Sequence, residues 1–291
     1  MRVAVMNLTV LIILCACPAI AGECKLEKIT TVPLSAQGNL PIIDVAINET
    51  PGRIVVDSGA KFTMLDTDYA SKANVNLDSR VHKKTMVNAN GDFLRGAEAH
   101  ARHIQIGDIS FNDWLFWVRP NRFPVSPSID GRLGRDFLHL LDIEFDYKEG
   151  ELSLWCAINC RTLQPAWTGD YDSIPLKVQK RFVATVTIAF DSVLLDLELE
   201  TTKGDQFTIT QKAATAVGVT DAQLATDPQI SGEDDPDETA NVLHKFKMLQ
   251  AGNGEFPGAE GVVIRKVNSR VEPFSGADGS IGIGRYAPDR A

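Results

Sequence analysis

Nothing in this sequence is spaced to hold a metal ion. Its five histidines, His82, His100, His103, His139 and His244, form no HExxH-type pair. The closest two, His100 and His103, fall in one strand-like stretch and read as solvated or satisfied side chains. Basic residues are outnumbered, 29 against 38 acidic ones, for a net charge of -9. That balance argues against nucleic acid as a partner, because contacts to phosphate need clustered Lys and Arg. Aromatic residues are few, at 7%. Trp114, Trp117 and Trp155 sit in strand-like segments as core or cleft wall, and no cofactor is expected.

An apolar run opens the chain. Arg2 precedes "VAVMNLTVLIILCACPAIA", which ends in Ala19-Ile20-Ala21 before Gly22. This is the pattern of a secretory signal peptide, residues 1–21, cleaved after Ala21. Asn7, Thr9 and Pro18 weaken the competing reading as a membrane anchor. A minor alternative is lipid attachment at Cys17, although Cys15 stands where such sites have a small residue. The expectation is an exported protein, periplasmic or secreted, with no other membrane contact. Three of the five cysteines then remain: Cys24, Cys156 and Cys160. Cys156 and Cys160 are close enough to bridge a turn, and Cys24 could pair with either.

With 44% hydrophobic residues over 291 positions, the chain can bury one large core or two small ones. The pattern from Leu40 is β: "LPIIDVAIN", a turn at "ETPG", then "RIVV". "FTML" leads into a short helix, "DTDYASKANV", with Asp66 as N-cap. "AHARHIQIGDISFNDWLFWV" reads as strand, turn, strand. "DGRLGRDFLHLL" reads as a glycine-bounded turn and a short helix, and "DIEFDYKEGELSLW" as a hairpin. The second half echoes the first: "DQFTITQKAATAVGV" is similar to "AKFTMLDTDYASKANV", and "DGSIGIGRY" to "DGRLGRDFL". Asp57 and Gly134 are 77 residues apart, and Thr202 and Gly282 are 80 apart. The expected organisation is therefore a duplication, with one lobe over residues 22–160 and a second, degenerate lobe over residues 161–291.

A hydrophobic strand that delivers Asp57-Ser58-Gly59-Ala60 into a tight turn has a chemical use. Two such loops facing each other bring two carboxylates together, and like charges that close share one proton. The ionised member can take a proton from water while the protonated one hydrogen-bonds a substrate carbonyl. Gly59 permits the close turn, and the Ser58 hydroxyl can tie one loop to the other.

"VVDSGAKFTML", followed by "DGRLGRDFL" and the hairpin "IEFDYKEGELSLW", resembles the retropepsin-like aspartic proteases, and most of all exported bacterial proteins with that domain. The resemblance covers about residues 31 to 155. It implies a mostly β fold of two tandem pepsin- or retropepsin-like barrel lobes with short helices. It also implies endopeptidase activity on peptide or protein substrates, with Asp57 as the catalytic acid/base. Ser58, Gly59 and Ala60 would shape the loop, and Leu133 and Gly134 would support it from below. "MVNANGDFLRGAEAHA" would be the flap, tipped by Asn90 and Gly91. Arg132 departs from the family, which has a branched apolar residue there.

A second catalytic carboxylate is not evident. Matching "FTI" at Phe207-Thr208-Ile209 to Phe62-Thr63-Met64 puts Thr202 opposite Asp57, with Gly204 as the retained glycine. Matching the upstream strands, Ile188 to Ile47, puts Glu198 there instead. Asp196, Glu198 and Glu200 alternate with Leu195, Leu197 and Leu199, which reads as an ordinary strand with its acids in solvent. The missing partner would come from a second copy in a homodimer, or from a non-equivalent acid. Otherwise the protein is a non-catalytic, peptide-binding pseudoprotease. "GEDDPDE", Gly232 to Glu238, lacks the spacing of a calcium loop and reads as solvated. "GSIGIGR", Gly279 to Arg285, reads as the counterpart of "GRLGRDF" and not as a phosphate loop.

Overall fold

The computed structural model describes residues 24–38, 40–77, 84–87, 93–119, 129–160, 171–204, 206–230, 241–264 and 277–283. The expected signal peptide, the flap tip at Asn90 and Gly91, and the acidic run at 232–238 lie outside the described residues. The fold is mostly β with short helices. Among the described residues the strands form two sheets, one of eleven strands whose last in sequence is Glu151–Ile158 and one of ten strands starting at Leu176–Val178. Each sheet encloses its own core, and we refer to the two as lobes.

The first lobe curls shut. Leu40–Ile47 pairs with Thr50–Val56 on one side and, through Ala46 and Ile47, with the long strand Phe93–Ile106 on the other. The turn falls at Asn48 and Glu49, both with positive φ (46° and 63°). The turn thus precedes "TPG", whose three residues already belong to the strand. Left-handed backbone at both central residues matches the twist of the flanking strands. The second lobe repeats the device at Asp191 and Ser192, φ 46° and 76°.

Ile54, Val55 and Val56 are at most 2% exposed and point into packed interior on both faces. This burial explains the continuous apolar run before Asp57. The short strand Gly131–Leu133 lies parallel beside them, and Met64–Asp66 pairs on its far side. Asp66 caps the helix Thr67–Lys72 by accepting from Asp68 N, as the sequence predicts. The predicted hairpin also forms, with Ile143 opposite Leu154 and Phe145 opposite Leu152. Its second strand pairs with an N-terminal strand, Lys25–Gln37, that the sequence pattern did not reveal.

That pairing sets Lys25 opposite Ile158 and brings Cys24 and Cys160 into a disulfide, leaving Cys156 outside it. In the second lobe, Phe190, Phe207 and Phe246 pack edge to face or tilted, with ring centroids 5.2–5.5 Å apart, within the core. Among the described residues no helix is long and apolar enough to cross a membrane.

Candidate active site

Asp57 leaves the buried strand and is itself 3% exposed. Its backbone N–H donates to Leu133 O (3.0 Å), so the Gly131–Leu133 strand does support the loop from beneath. Ala60 N donates to Asp57 O, closing the turn, and Ala60 O accepts from Arg135 N. Gly134 allows the close passage: a Cβ there would stand 2.5 Å from the Phe62 carbonyl carbon. Gly134 N donates to the Thr63 hydroxyl, which donates in turn to Asp136. The loop is therefore braced from its own backbone outward.

Ser58 reaches the other lobe. Its hydroxyl donates to Leu199 O (2.6 Å) and accepts from Thr201 N (3.0 Å). The Thr201 hydroxyl does the same in reverse, donating to Val56 O (2.6 Å) and accepting from Ser58 N (3.0 Å). Ser58 and Thr201 are thus equivalent, so the residue opposite Asp57 is Glu200. Sheet register gives the same answer independently. Val56 lies beside Leu133, and Leu199 lies beside Ile281 in the parallel pairing of Val193–Glu200 with Gly279–Gly282.

This corrects the expected counterpart. Thr202 lies opposite Gly59, two positions past the acid, and Gly204 is not the equivalent of Gly59. Two local features caused the slip. Phe207 corresponds to Thr63, not Phe62, since Thr208 pairs with Ser280 as Met64 pairs with Arg132. In addition, the loop after Glu200 is one residue longer than the loop after Asp57. Matching Ile188 to Ile47 failed similarly. Phe190 is the last residue before its hairpin turn, as Ile47 is. The trace that Glu200 leaves in the sequence is the hydroxyl residue after it, Thr201, counterpart of Ser58, and it becomes a signal only through the bond to Val56 O.

Of the three alternating acids, Asp196 does face solvent, its side chain 36% exposed and paired with Lys177, but Glu198 and Glu200 do not. Glu198 is 4% exposed and forms a buried ion pair with Arg135 of the first lobe, itself 6% exposed. The Glu200 side chain is 16% exposed, and its Cδ lies 3.3 Å from where a Gly59 Cβ would stand. A side chain at position 59 would therefore press on Glu200.

Asp57 Oδ1 accepts from Gly59 N (3.0 Å) and Ala60 N (3.2 Å). Oδ2 accepts from the Arg132 guanidinium at 2.8 Å, a contact the sequence could not disclose. Burial pushes the Glu200 carboxyl above the ordinary glutamate range. Lys203 opposes the shift from 3.9 Å, and the charge of Asp57 reinforces it. Burial likewise raises Glu198 from 4.5 to about 7, with Arg135 opposing. Among the described residues no three His, Cys, Asp or Glu side chains gather as a metal site.

Both raised acids bind a proton more tightly folded than unfolded. For Glu198 the native state then holds more protons than the unfolded chain between about 4.5 and 7, and stability falls as pH rises through that window. The contribution is complete below 4.5 and lost above the folded-state value. The melting temperature is expected to be higher at pH 5 than at pH 8, and Glu198→Gln should flatten that difference. An unchanged slope in the variant would place the titration elsewhere.

Residues 43–139 match the family model described as gag-polyprotein putative aspartyl protease. No curated protein sequence matches the chain. Among solved structures, it is similar to a retropepsin-like aspartic protease from Rickettsia conorii. The identity is 20%, covering 47% of this chain and 96% of that one, with a TM-score of 0.35. The matched segment carries the Asp57 loop and the Gly131–Gly134 segment beneath it, so this part of the chain is similar to the retropepsin-like aspartyl proteases.

Proposed function

We propose that this protein is an aspartic endopeptidase whose catalytic pair, Asp57 and Glu200, lies within a single chain. The observation that carries this reading is the reciprocal set of four hydrogen bonds between Ser58 and Thr201, which sets the two acids opposite each other. The raised Glu200 makes it the proton-bearing member. Asp57 takes one proton from water, the water oxygen bonds to the peptide carbonyl carbon, and Glu200 passes its proton to the carbonyl oxygen. As the tetrahedral intermediate collapses, the C–N bond breaks and the nitrogen leaves with the proton held by Asp57. The hydroxyl proton returns to Glu200. One water is consumed per bond, and neither acid is altered. A dyad complete within one chain has no need of a second copy.

The N-terminal sequence supports export to the periplasm or beyond. The Cys24–Cys160 bridge suits such an oxidising compartment.

One observation favours a second reading, a peptide-binding protein that does not cut. Arg132 covers the Asp57 oxygen that would receive the proton of water. Incubating the chain lacking residues 1–21 with a diverse peptide library, beside Asp57→Asn, separates the two. The expected result is cleavage by the first protein only, with an initial rate proportional to its concentration. A rate rising with the square of concentration would point to a dyad shared between copies. Binding without cleavage would establish the second reading.

A further inference from the structure

We propose that Arg132 makes this cleft selective for an acidic side chain beside the scissile bond, the substrate carboxylate drawing the guanidinium off Asp57. The inference rests on the Asp57–Glu200 reading and adds a substrate class to it.

Strand alternation places Arg132 on the site side. Its neighbours Gly131 and Leu133 are buried, whereas the Arg132 side chain is 27% exposed and reaches Asp57. Asp57 Oδ1 is already occupied by two backbone N–H groups, so Oδ2 is the oxygen available to water, and Arg132 bonds to it. The equivalent position in the second lobe is Ser280, uncharged and fully buried. The position beneath Asp57 thus carries a guanidinium bonded to the acid, whereas the matching position beneath Glu200 carries a buried serine, and this asymmetry gives the two sides of a bound peptide different surroundings.

Arg132 is not the only positive charge there. Arg119 ends the strand Ile109–Arg119, beside Asp66, and the charge of Arg132 is felt at its guanidinium. Lys203 stands 3.9 Å from Glu200. In a chain of net charge -9, Arg132 and Lys203 thus each stand beside one acid of the pair. A guanidinium matches a carboxylate with two parallel hydrogen bonds, so a substrate Glu or Asp offers Arg132 a replacement for Asp57. Exchange of one carboxylate for another keeps the guanidinium paired and uncovers Oδ2. A neutral side chain offers no such replacement. Asp57 then stays covered, or Arg132 gives up its charge-assisted bond to Asp57 with no carboxylate in exchange.

The test uses matched fluorogenic peptides that differ only in Glu or Gln at the residues flanking the central bond. Both kcat/KM and binding by fluorescence anisotropy are measured for the wild type, Arg132→Leu and Arg132→Lys. The wild type is expected to favour Glu over Gln on the order of 10- to 100-fold. Arg132→Leu should lose the preference, and Arg132→Lys should keep part of it even where the Leu variant folds poorly. Cleavage at equal rates for the two series, or a preference that survives in both variants, overturns the inference and leaves the protease reading intact. Tighter binding of Glu peptides that depends on Arg132, with no cleavage of any, keeps the selectivity and removes the protease reading. No cleavage and no difference in binding overturns both.

Discussion

Glu200→Gln is expected to lower kcat by about 10³-fold while leaving the fold intact. The substitution is nearly isosteric, and the Ser58–Thr201 bonds that hold the loop use backbone and hydroxyl groups that it does not touch. It removes the one proton the dyad needs. An amide can donate a hydrogen bond to the substrate carbonyl, but it cannot pass a proton to it. The pH profile adds a readout that a structural role would not move. Wild-type kcat should decline at high pH as Glu200 deprotonates, above the ordinary glutamate range. That limb should vanish from the residual activity of the variant. Glu200→Asp keeps a titratable acid but withdraws it by one methylene toward the strand, and a misplacement of that size costs roughly 10²-fold. Wild-type kcat in Glu200→Gln would mean that Asp57 works with some other group.

The second large effect concerns stability. Arg135 and Glu198 are both buried where the lobes meet. Removing one partner of such a pair typically costs about 3–5 kcal/mol, because the other charge stays buried alone. The two losses should not be equal. In Arg135→Met, Glu198 can take up a proton and become neutral, a change already favoured by its raised carboxyl. In Glu198→Leu, the guanidinium has no accessible neutral form. Its Nε also has no hydrogen-bond acceptor among the described residues. Denaturant unfolding should therefore rank Glu198→Leu as the most damaging, Arg135→Met as intermediate, and the double variant within about 1 kcal/mol of the wild type. Equal single losses that add in the double variant would show that the two side chains do not act as a pair.

The first lobe was legible because its signals are local. Ile54-Val55-Val56 before Asp57, the glycines around Leu133 and the alternation of Ile143, Phe145, Leu152 and Leu154 each report burial at a fixed period. The second acid was not legible, because its position depends on contact between lobes. Glu198 and Glu200 alternate with leucines as solvent-facing residues would, yet the first lobe covers that face. The hydroxyl of Thr201 identifies Glu200 only once its bond to Val56 O is seen. Likewise, sequence proximity made Cys156 and Cys160 the nearest pair. The strand pairing of Lys25 with Ile158 joined Cys24 to Cys160 instead.

That bridge determines how the molecule carries load. Tension applied upstream of Cys24 and downstream of Cys160 crosses the disulfide and bypasses the first lobe, so only the second lobe lies in series with the pull. The 136-residue span within the ring is hidden length, roughly 460 Å of contour at 3.4 Å per residue. Under oxidising conditions a stretched molecule would open its second lobe, parting Glu200 from Asp57, while the Asp57 barrel stayed folded. A reductant would release the hidden length.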